Sequence, residues 1–320
     1  MKIVFMGTPG FALPALKALV SSEHTIAGVV TQPDRPRGRG REVAASPIKQ
    51  VALESGLTVL QPENVNVPEF VETLRSLNPD LIVVVAFGQI LKADVLQLPG
   101  YFCMNLHASL LPRYRGAAPI QRAIIEGETE TGVTTMKMDA GMDTGDILLT
   151  QKVPVRDTDD AQTLHDTLSE AGAGLVLETI RRLEGGSLKP VPQDPGQASY
   201  APKLKKEEGL MVWNHNAETL RNLVRGLTPW PGAYTFFHSK RLRVWRAETG
   251  PGAPEDRPGT IARVTGHGIE VGTGRGRLII THLQPEGKNP MSVKSFLAGH
   301  PVRKGEHFDS SSTPSLIPTQ

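Results

Sequence analysis

Residues 81–85, Leu-Ile-Val-Val-Val, carry no polar side chain on either face of an extended chain. A strand with one wet face alternates apolar and polar residues, whereas a run apolar on both faces must be covered from both sides. That is the pattern of an inner strand of a parallel sheet clad in helices. The surrounding sequence supplies such helices. Strand-like runs at 2–6, 25–30, 80–86, 102–106 and 132–137 alternate with helical patterns at 11–20, 47–55, 68–77 and 117–126. This order predicts an α/β domain with a doubly wound, mostly parallel sheet of Rossmann-like type. The first turn, Gly7-Thr8-Pro9-Gly10, lacks the G-x-G-x-x-G spacing, so no dinucleotide fingerprint is present. A strand at 147–153 and a long helix at 160–183, stopped by Gly185-Gly186, complete a first domain over residues 1–189.

The second half reads differently. Residues 190–208 are rich in Pro, Gln and Lys without an apolar period and read as a linker. One helix, 217–226, precedes Pro229-Trp230-Pro231-Gly232. Short alternating runs follow at 233–238, 242–247, 259–264, 269–271 and 278–283. Strands this short and this regularly spaced predict a small β-barrel over residues 209–309, with an oligonucleotide-binding (OB) barrel as one candidate. Residues 310–320 have little to bury and are expected to be disordered.

The formal net charge of +2 hides an asymmetry. From Leu204 onward there are 16 Lys and Arg against 10 Asp and Glu, while residues 1–203 hold 19 against 23. A basic second domain suits a polyanionic partner, and it equally suits an ordinary solvated surface. Cys103, the single cysteine, rules out an internal disulfide, fits a reducing compartment and lies in a predicted strand as a core residue. Residues 1–6 run straight into a strand pattern without a signal segment, and no apolar run approaches membrane-spanning length. A soluble cytoplasmic protein without membrane contact is expected.

Polar residues interrupt the apolar pattern most tellingly at Asn105 and His107. Side chains two apart on a strand share a face, so both point the same way where the strand runs into the loop Ser109-Leu110-Leu111-Pro112. An amide donor and a titratable imidazole are what an acyl-type carbonyl needs to pass through a tetrahedral intermediate. The Gly-flanked Asp143 could supply a carboxylate to fix the imidazole tautomer and favour its charged form. The residues alone leave open a plainer reading, in which the pair are satisfied polar groups at a strand end and Asp143 only holds a turn.

Arg35, Arg37, Arg39 and Arg41 alternate with Pro and Gly in a segment that has no apolar face. Such a loop suits phosphate or base-edge contacts, or simply a solvated surface. Lys203, Lys205 and Lys206 form a weaker cluster. Asp139, Asp143 and Asp146 fall at loop positions one, five and eight, which does not match a calcium loop, and the histidines make no zinc spacing with Cys103. No metal is expected.

Taken together, Asn105-x-His107-x-Ser109-Leu-Leu-Pro-x-Tyr-Arg-Gly116, the following Ala-Ala-Pro-Ile-Gln121, Glu130-Thr-Gly-Val-Thr and Met138-Asp-x-Gly-Met-Asp143-Thr-Gly-Asp146 closely resemble the methionyl-tRNA formyltransferases, a folate-dependent formyltransferase family. The likeness extends to Phe5-Met-Gly-Thr-Pro, the Thr31–Gly40 loop, Tyr200-Ala-x-Lys203 and Pro229-Trp230-Pro231. Two features depart from it: Thr228, where the family often has Asn, and the tail after Phe308.

The resemblance implies an enzyme that moves a formyl group from 10-formyltetrahydrofolate to the α-amino group of methionyl initiator tRNA for translation initiation, as a monomer. Asn105, His107 and Asp143 match the catalytic trio. Ser109, Leu110, Leu111 and Pro112 match the folate segment, with the pterin beside Phe87, Gly88, Gln89, Ile90 and the loop from Asp139. The Arg35–Arg41 loop matches the insertion that enters the acceptor stem, with Arg39 foremost, and Lys203, Lys205 and Lys206 would assist in tRNA binding. The alternative within the same chemistry is transfer to a small amine such as glycinamide ribonucleotide.

Overall fold

The computed structural model describes residues 1–37 and 42–311. Contacts divide the chain into two compact units. The first comprises Met1–Pro119, Glu130–Pro154 and His165–Ala201; the second comprises Ile120–Thr129, Val155–Leu164 and the chain from Pro202 onward.

In chain order the strands of the first unit are β1 (Lys2–Gly7), β2 (Thr25–Val30), β3 (Arg35–Arg37), β4 (Glu42–Ala44), β5 (Val59–Leu60), β6 (Leu81–Val85), β7 (Cys103–His107), β8 (Arg115–Gly116), β9 (Glu130–Lys137), β10 (Ile147–Pro154) and β11 (Tyr200–Ala201). The helices preceding β7 are α1 (Leu13–Val20), α2 (Pro47–Glu54), α3 (Pro68–Ser76) and α4 (Ala93–Leu96); α5 (Pro119–Ile125) and the long α6 (Ala161–Glu184) come later.

The main sheet has the order β10-β9-β7-β6-β1-β2-β5. From β7 to β5 its neighbours are parallel, and β9 and β10 add an antiparallel edge. Every residue of β6 is buried, as its two-sided apolar run requires. The expected strands and helices of this half all form, most within a residue or two of the expected ends. Helix α2 illustrates the local logic. Ser46 accepts a hydrogen bond from Lys49 N at 3.0 Å as the N-cap, Pro47 occupies the first turn, and the Ser46 hydroxyl also meets Thr31 Oγ1 at 2.9 Å in the core.

Two segments are more ordered than composition suggested. Arg35–Arg37 and Glu42–Ala44 pair antiparallel where a flexible loop was expected. Within the expected linker, Tyr200–Ala201 pairs parallel with Arg115–Gly116. Both rest on backbone hydrogen bonds, which leave no apolar period to read.

In the second unit the helix α7 (Ala217–Gly226) precedes β12 (Ala233–Phe237), β13 (Lys240–Gly250), β14 (Ile261–Val264), β15 (Ile269–Gly272), β16 (Arg277–Pro285), β17 (Met291–Ser292) and α8 (Val293–Leu297). The sheet order is β12-β13-β16-β15-β14, with β17 on β16. Its two edges are joined through residues 305–309: Phe308 N donates to Gly259 O and Ile261 N to Glu306 O at 2.8 Å each, while Phe236 N donates to Asp309 O at 3.0 Å. Leu220 and Val224 of α7, Trp213, Val244, Ile280 and Phe308 meet in the core beneath this curled sheet. The Ser310 hydroxyl donates to Met211 O at 2.8 Å, so the start of the expected disordered tail is tied down. Residues 312–320 lie outside the described residues. Among the described residues, no helix is long and apolar enough to cross a membrane.

Candidate active site

Strand β7 lies between β6 and β9, with Asn105 opposite Val84 on one side and Met136 on the other. Asn105 is half-buried, and its carboxamide has no hydrogen-bond partner among the described residues. His107, two residues further along the same face, is buried. Its Nε2 donates to Tyr114 O at 2.9 Å. Its Nδ1 stands 3.7 Å from Asp143 Oδ2, an ion-pair distance that exceeds a hydrogen bond and leaves Nδ1 open to a substrate atom.

Asp143 reaches this point by an indirect path. Strand β9 runs antiparallel to β7, so the loop after it starts beside Cys103, where Met138 N donates to Cys103 O at 2.8 Å, at the far end of β7 from His107. Asp139 shapes the loop by accepting from Gly141 N at 2.9 Å and Thr144 Oγ1 at 2.7 Å. A Cβ at Gly145 would overlap Lys137 O, so the return leg needs glycine. Asp143 itself has φ of 54°, and its Oδ2 accepts from Gly116 N at 2.8 Å. One backbone segment therefore serves both partners, Tyr114 O for the imidazole and Gly116 N for the carboxylate.

The residues matched to folate surround the same strand ends. Ser109 is buried and donates to Arg113 O at 2.6 Å, closing the turn Leu110-Leu111-Pro112. Thr134 Oγ1 accepts from Leu111 N at 3.2 Å and donates to Ser109 O at 2.7 Å, which fastens that turn to β9. Phe87 is buried, and its carbonyl accepts from Thr8 Oγ1 and Gln32 Nε2. Gly88 has φ of 85°, a conformation glycine adopts freely. Gln89 points its amide into the 62–65 loop, accepting from Val65 N at 2.8 Å. Ile90 is 78% exposed, and Met142 on the Asp143 loop is 64% exposed.

Arg35 is exposed, with Glu63 at 3.8 Å, and the backbone of Arg37 lies in β3. Arg39 and Arg41 lie outside the described residues. Lys203, Lys205 and Lys206 are exposed in the second unit, at a single-turn helix Lys206–Gly209. The described residues contain no group of three or more His, Cys, Asp or Glu that could hold a metal ion. Burial pushes the Cys103 thiol up to about 12, which fits the core role read for it.

Sequence reasoning gave Tyr114 and Gly116 no role beyond their place in the motif, and passed over Gln193. The first two act through backbone atoms, which no side-chain pattern reveals. Gln193 sits in the stretch read as a linker, yet its amide reaches the carbonyls of Asp143 and Gly145.

Residues 1–180 match the formyl transferase family and residues 203–301 the formyl transferase C-terminal domain. A methionyl-tRNA formyltransferase of Citrifermentans bemidjiense is 52% identical over 305 residues, covering 95% of each chain. The corresponding protein of Caldanaerobacter subterraneus is 49% identical over 306 residues, 95% of this chain and 99% of its own. Among solved structures, HypX from Aquifex aeolicus in complex with tetrahydrofolic acid shares the fold, with a TM-score of 0.63 at 20% identity over 93% of this chain and 47% of its own. With both formyl transferase domains matched and about half its residues identical to such relatives over nearly the full length of each, the chain belongs to the methionyl-tRNA formyltransferase family.

Proposed function

We propose that this chain transfers the formyl group of 10-formyltetrahydrofolate to the α-amino group of methionyl initiator tRNA, supplying the initiator of translation, and that it works as a cytoplasmic monomer. The observation that carries the reading is the identity of about half to relatives named for that reaction, spread over 95% of the chain and so over both units. In this reading residues 1–189 perform the chemistry, residues 190–208 connect the two parts, and residues 209–309 hold RNA. Arg35, Arg37, Arg39, Arg41, Lys203, Lys205 and Lys206 supply positive charge for its phosphates.

The residues around β7 fit the donor. Ile90 and Met142 are apolar yet largely exposed, as suits side chains that cover a flat pterin ring, and the turn 109–112 borders the same strand end. The neutral methionyl amine attacks the formyl carbon, and the carbonyl oxygen becomes an oxyanion. Asn105 has an uncommitted amide N–H for it, and His107, when protonated, offers its Nδ1–H as a second donor. One such donor is typically worth about 3 kcal/mol of barrier. Collapse breaks the bond from the formyl carbon to the folate N10, and the proton lost by the amine leaves on that nitrogen. Asp143 orients the imidazole and balances its charge. Direct transfer also requires both substrates to be held together, so binding the two is a large part of the catalysis.

The test is transfer of labelled formyl from 10-formyltetrahydrofolate to methionyl initiator tRNA, run beside methionyl elongator tRNA and glycinamide ribonucleotide. Transfer to the initiator alone is expected. Equal or better transfer to the small amine would overturn the acceptor assignment and leave only the folate chemistry.

A further inference from the structure

We propose that Gln193 is a positioning residue of the transfer reaction, acting through Asp143 on His107. The Asp143 backbone occupies the left-handed region, φ 54°, uncommon for a non-glycine residue although Asp tolerates it better than most. Gln193 braces it there. Its Nε2 donates to Asp143 O at 2.9 Å and to Gly145 O at 2.7 Å, so both amide hydrogens pin the backbone on either side of Thr144. Its Oε1 accepts from Arg115 Nε at 3.1 Å and from Arg115 Nη2 at 2.7 Å, which fixes which end of the amide faces the loop. Arg115 is only 5% exposed and makes this contact beside Gly116, whose N–H holds the Asp143 carboxylate.

The frame closes through residues 199–201. Ser199 O accepts from Arg115 N at 2.8 Å, Ser199 Oγ accepts from Tyr114 N at 2.9 Å, and Ala201 O accepts from Ala117 N at 2.9 Å. Each backbone group that fixes His107 or Asp143 is thus held in turn from the stretch 193–201. That stretch is a wall of the active site as well as a connection. A shift of the Asp143 carboxylate by a fraction of an ångström changes its grip on an imidazole that is already 3.7 Å away, and misplacement on that scale is costly in a site that works by orientation.

The inference rests on the formyl-transfer reading, and two readouts keep their failures apart. Gln193→Leu keeps the volume and removes both donors and the acceptor. In the full-length enzyme it is expected to lower kcat about tenfold to a hundredfold, with KM for donor and acceptor within about twofold. The same loss is expected in hydrolysis of 10-formyltetrahydrofolate without acceptor. If the wild type hydrolyses the donor but transfers to no tRNA, the acceptor assignment falls and Gln193 is still tested on hydrolysis.

The deciding readout is the double variant. In an Asp143→Ala background, Gln193→Leu should have less than about a twofold further effect, because its route to His107 is already cut. A merely structural contribution would multiply undiminished into the double variant and overturn the proposal, as would a kcat for Gln193→Leu within twofold of wild type. Should Gln193→Leu fail to fold, Gln193→Asn is read by the same criteria, since it keeps the amide and withdraws it by one methylene.

Discussion

Asp143 and His107 stand 3.7 Å apart although the loop that carries Asp143 starts at the opposite end of β7, beside Cys103. The loop turns back over the sheet face because Asp139 ties it to Gly141 and Thr144, and because glycine at 145 lets it pass Lys137 O closely. The two side chains are then held by Tyr114 O and Gly116 N, two residues apart on one segment. Several consequences can be measured.

Asn105→Ala removes an amide that hydrogen-bonds no other group among the described residues. Turnover should fall by about a hundredfold or more, by analogy with loss of one oxyanion donor, while thermal stability stays near that of wild type. Steady-state kinetics and a melting curve check both halves; turnover within a few-fold of wild type would sink the role given to Asn105.

In Asp143→Asn the amide oxygen can still accept from Gly116 N–H, but the charge facing His107 is gone. The expected result is a loss of about tenfold to a thousandfold in kcat without loss of folate binding. Binding of unreactive tetrahydrofolate, measured by calorimetry, separates the two; weakened binding equal to the lost rate would place Asp143 in donor recognition instead.

Gly116 has φ of 116°, and a Cβ there would lie 2.9 Å from Ala201 O. Gly116→Ala should therefore push β8 off β11, move the N–H that holds Asp143, and lower kcat about tenfold or more with a reduced melting temperature. An alanine variant as active and as stable as wild type would show that this approach is not needed.

Arg39→Ala should raise KM for the tRNA and leave acceptor-free hydrolysis of the donor unchanged. If Arg39 meets a phosphate, the slope of log affinity against log salt should flatten by about 0.7 to 0.9. An equal loss in hydrolysis would assign Arg39 to the chemistry rather than to RNA.

In the second unit, Arg277 donates to both oxygens of Asp256 at 2.7 and 2.9 Å, and with Ala253 N–H it holds that carboxyl below the usual range. A depressed carboxyl contributes stability above its unfolded value and loses it as pH falls through the folded value. Asp256→Asn should thus cost about 2 kcal/mol at pH 7. The gap in melting temperature between the two proteins should narrow below about pH 4, where the unfolded carboxyl protonates. A gap independent of pH would rule out the charge as its source.

The sheet of the first unit was legible because burial on two faces leaves a two-sided apolar run, as at 81–85, and because its helices keep their own period. The second sheet was legible through alternation at 233–237 and 242–247 and the Gly and Pro between strands. Short elements were not. The hairpin Arg35–Arg37 with Glu42–Ala44 and the pair Arg115–Gly116 with Tyr200–Ala201 are joined through their backbones. Composition took Tyr200–Ala201 for part of a linker because a segment without an apolar period looks the same whether it is free or bonded.

Asn105 and His107 are two residues apart on one strand, so their shared face followed from the sequence through the geometry of an extended chain. The sequence also held the motifs that identify the family. Only the tertiary structure decided which atom of His107 is committed, how Asp143 crosses from the far end of β7 to meet it, and that Gln193, fifty residues further on, is bonded to Asp143. These relations depend on chain paths that close in space, through carbonyl and amide groups that every residue carries, and no pattern of side chains can record them.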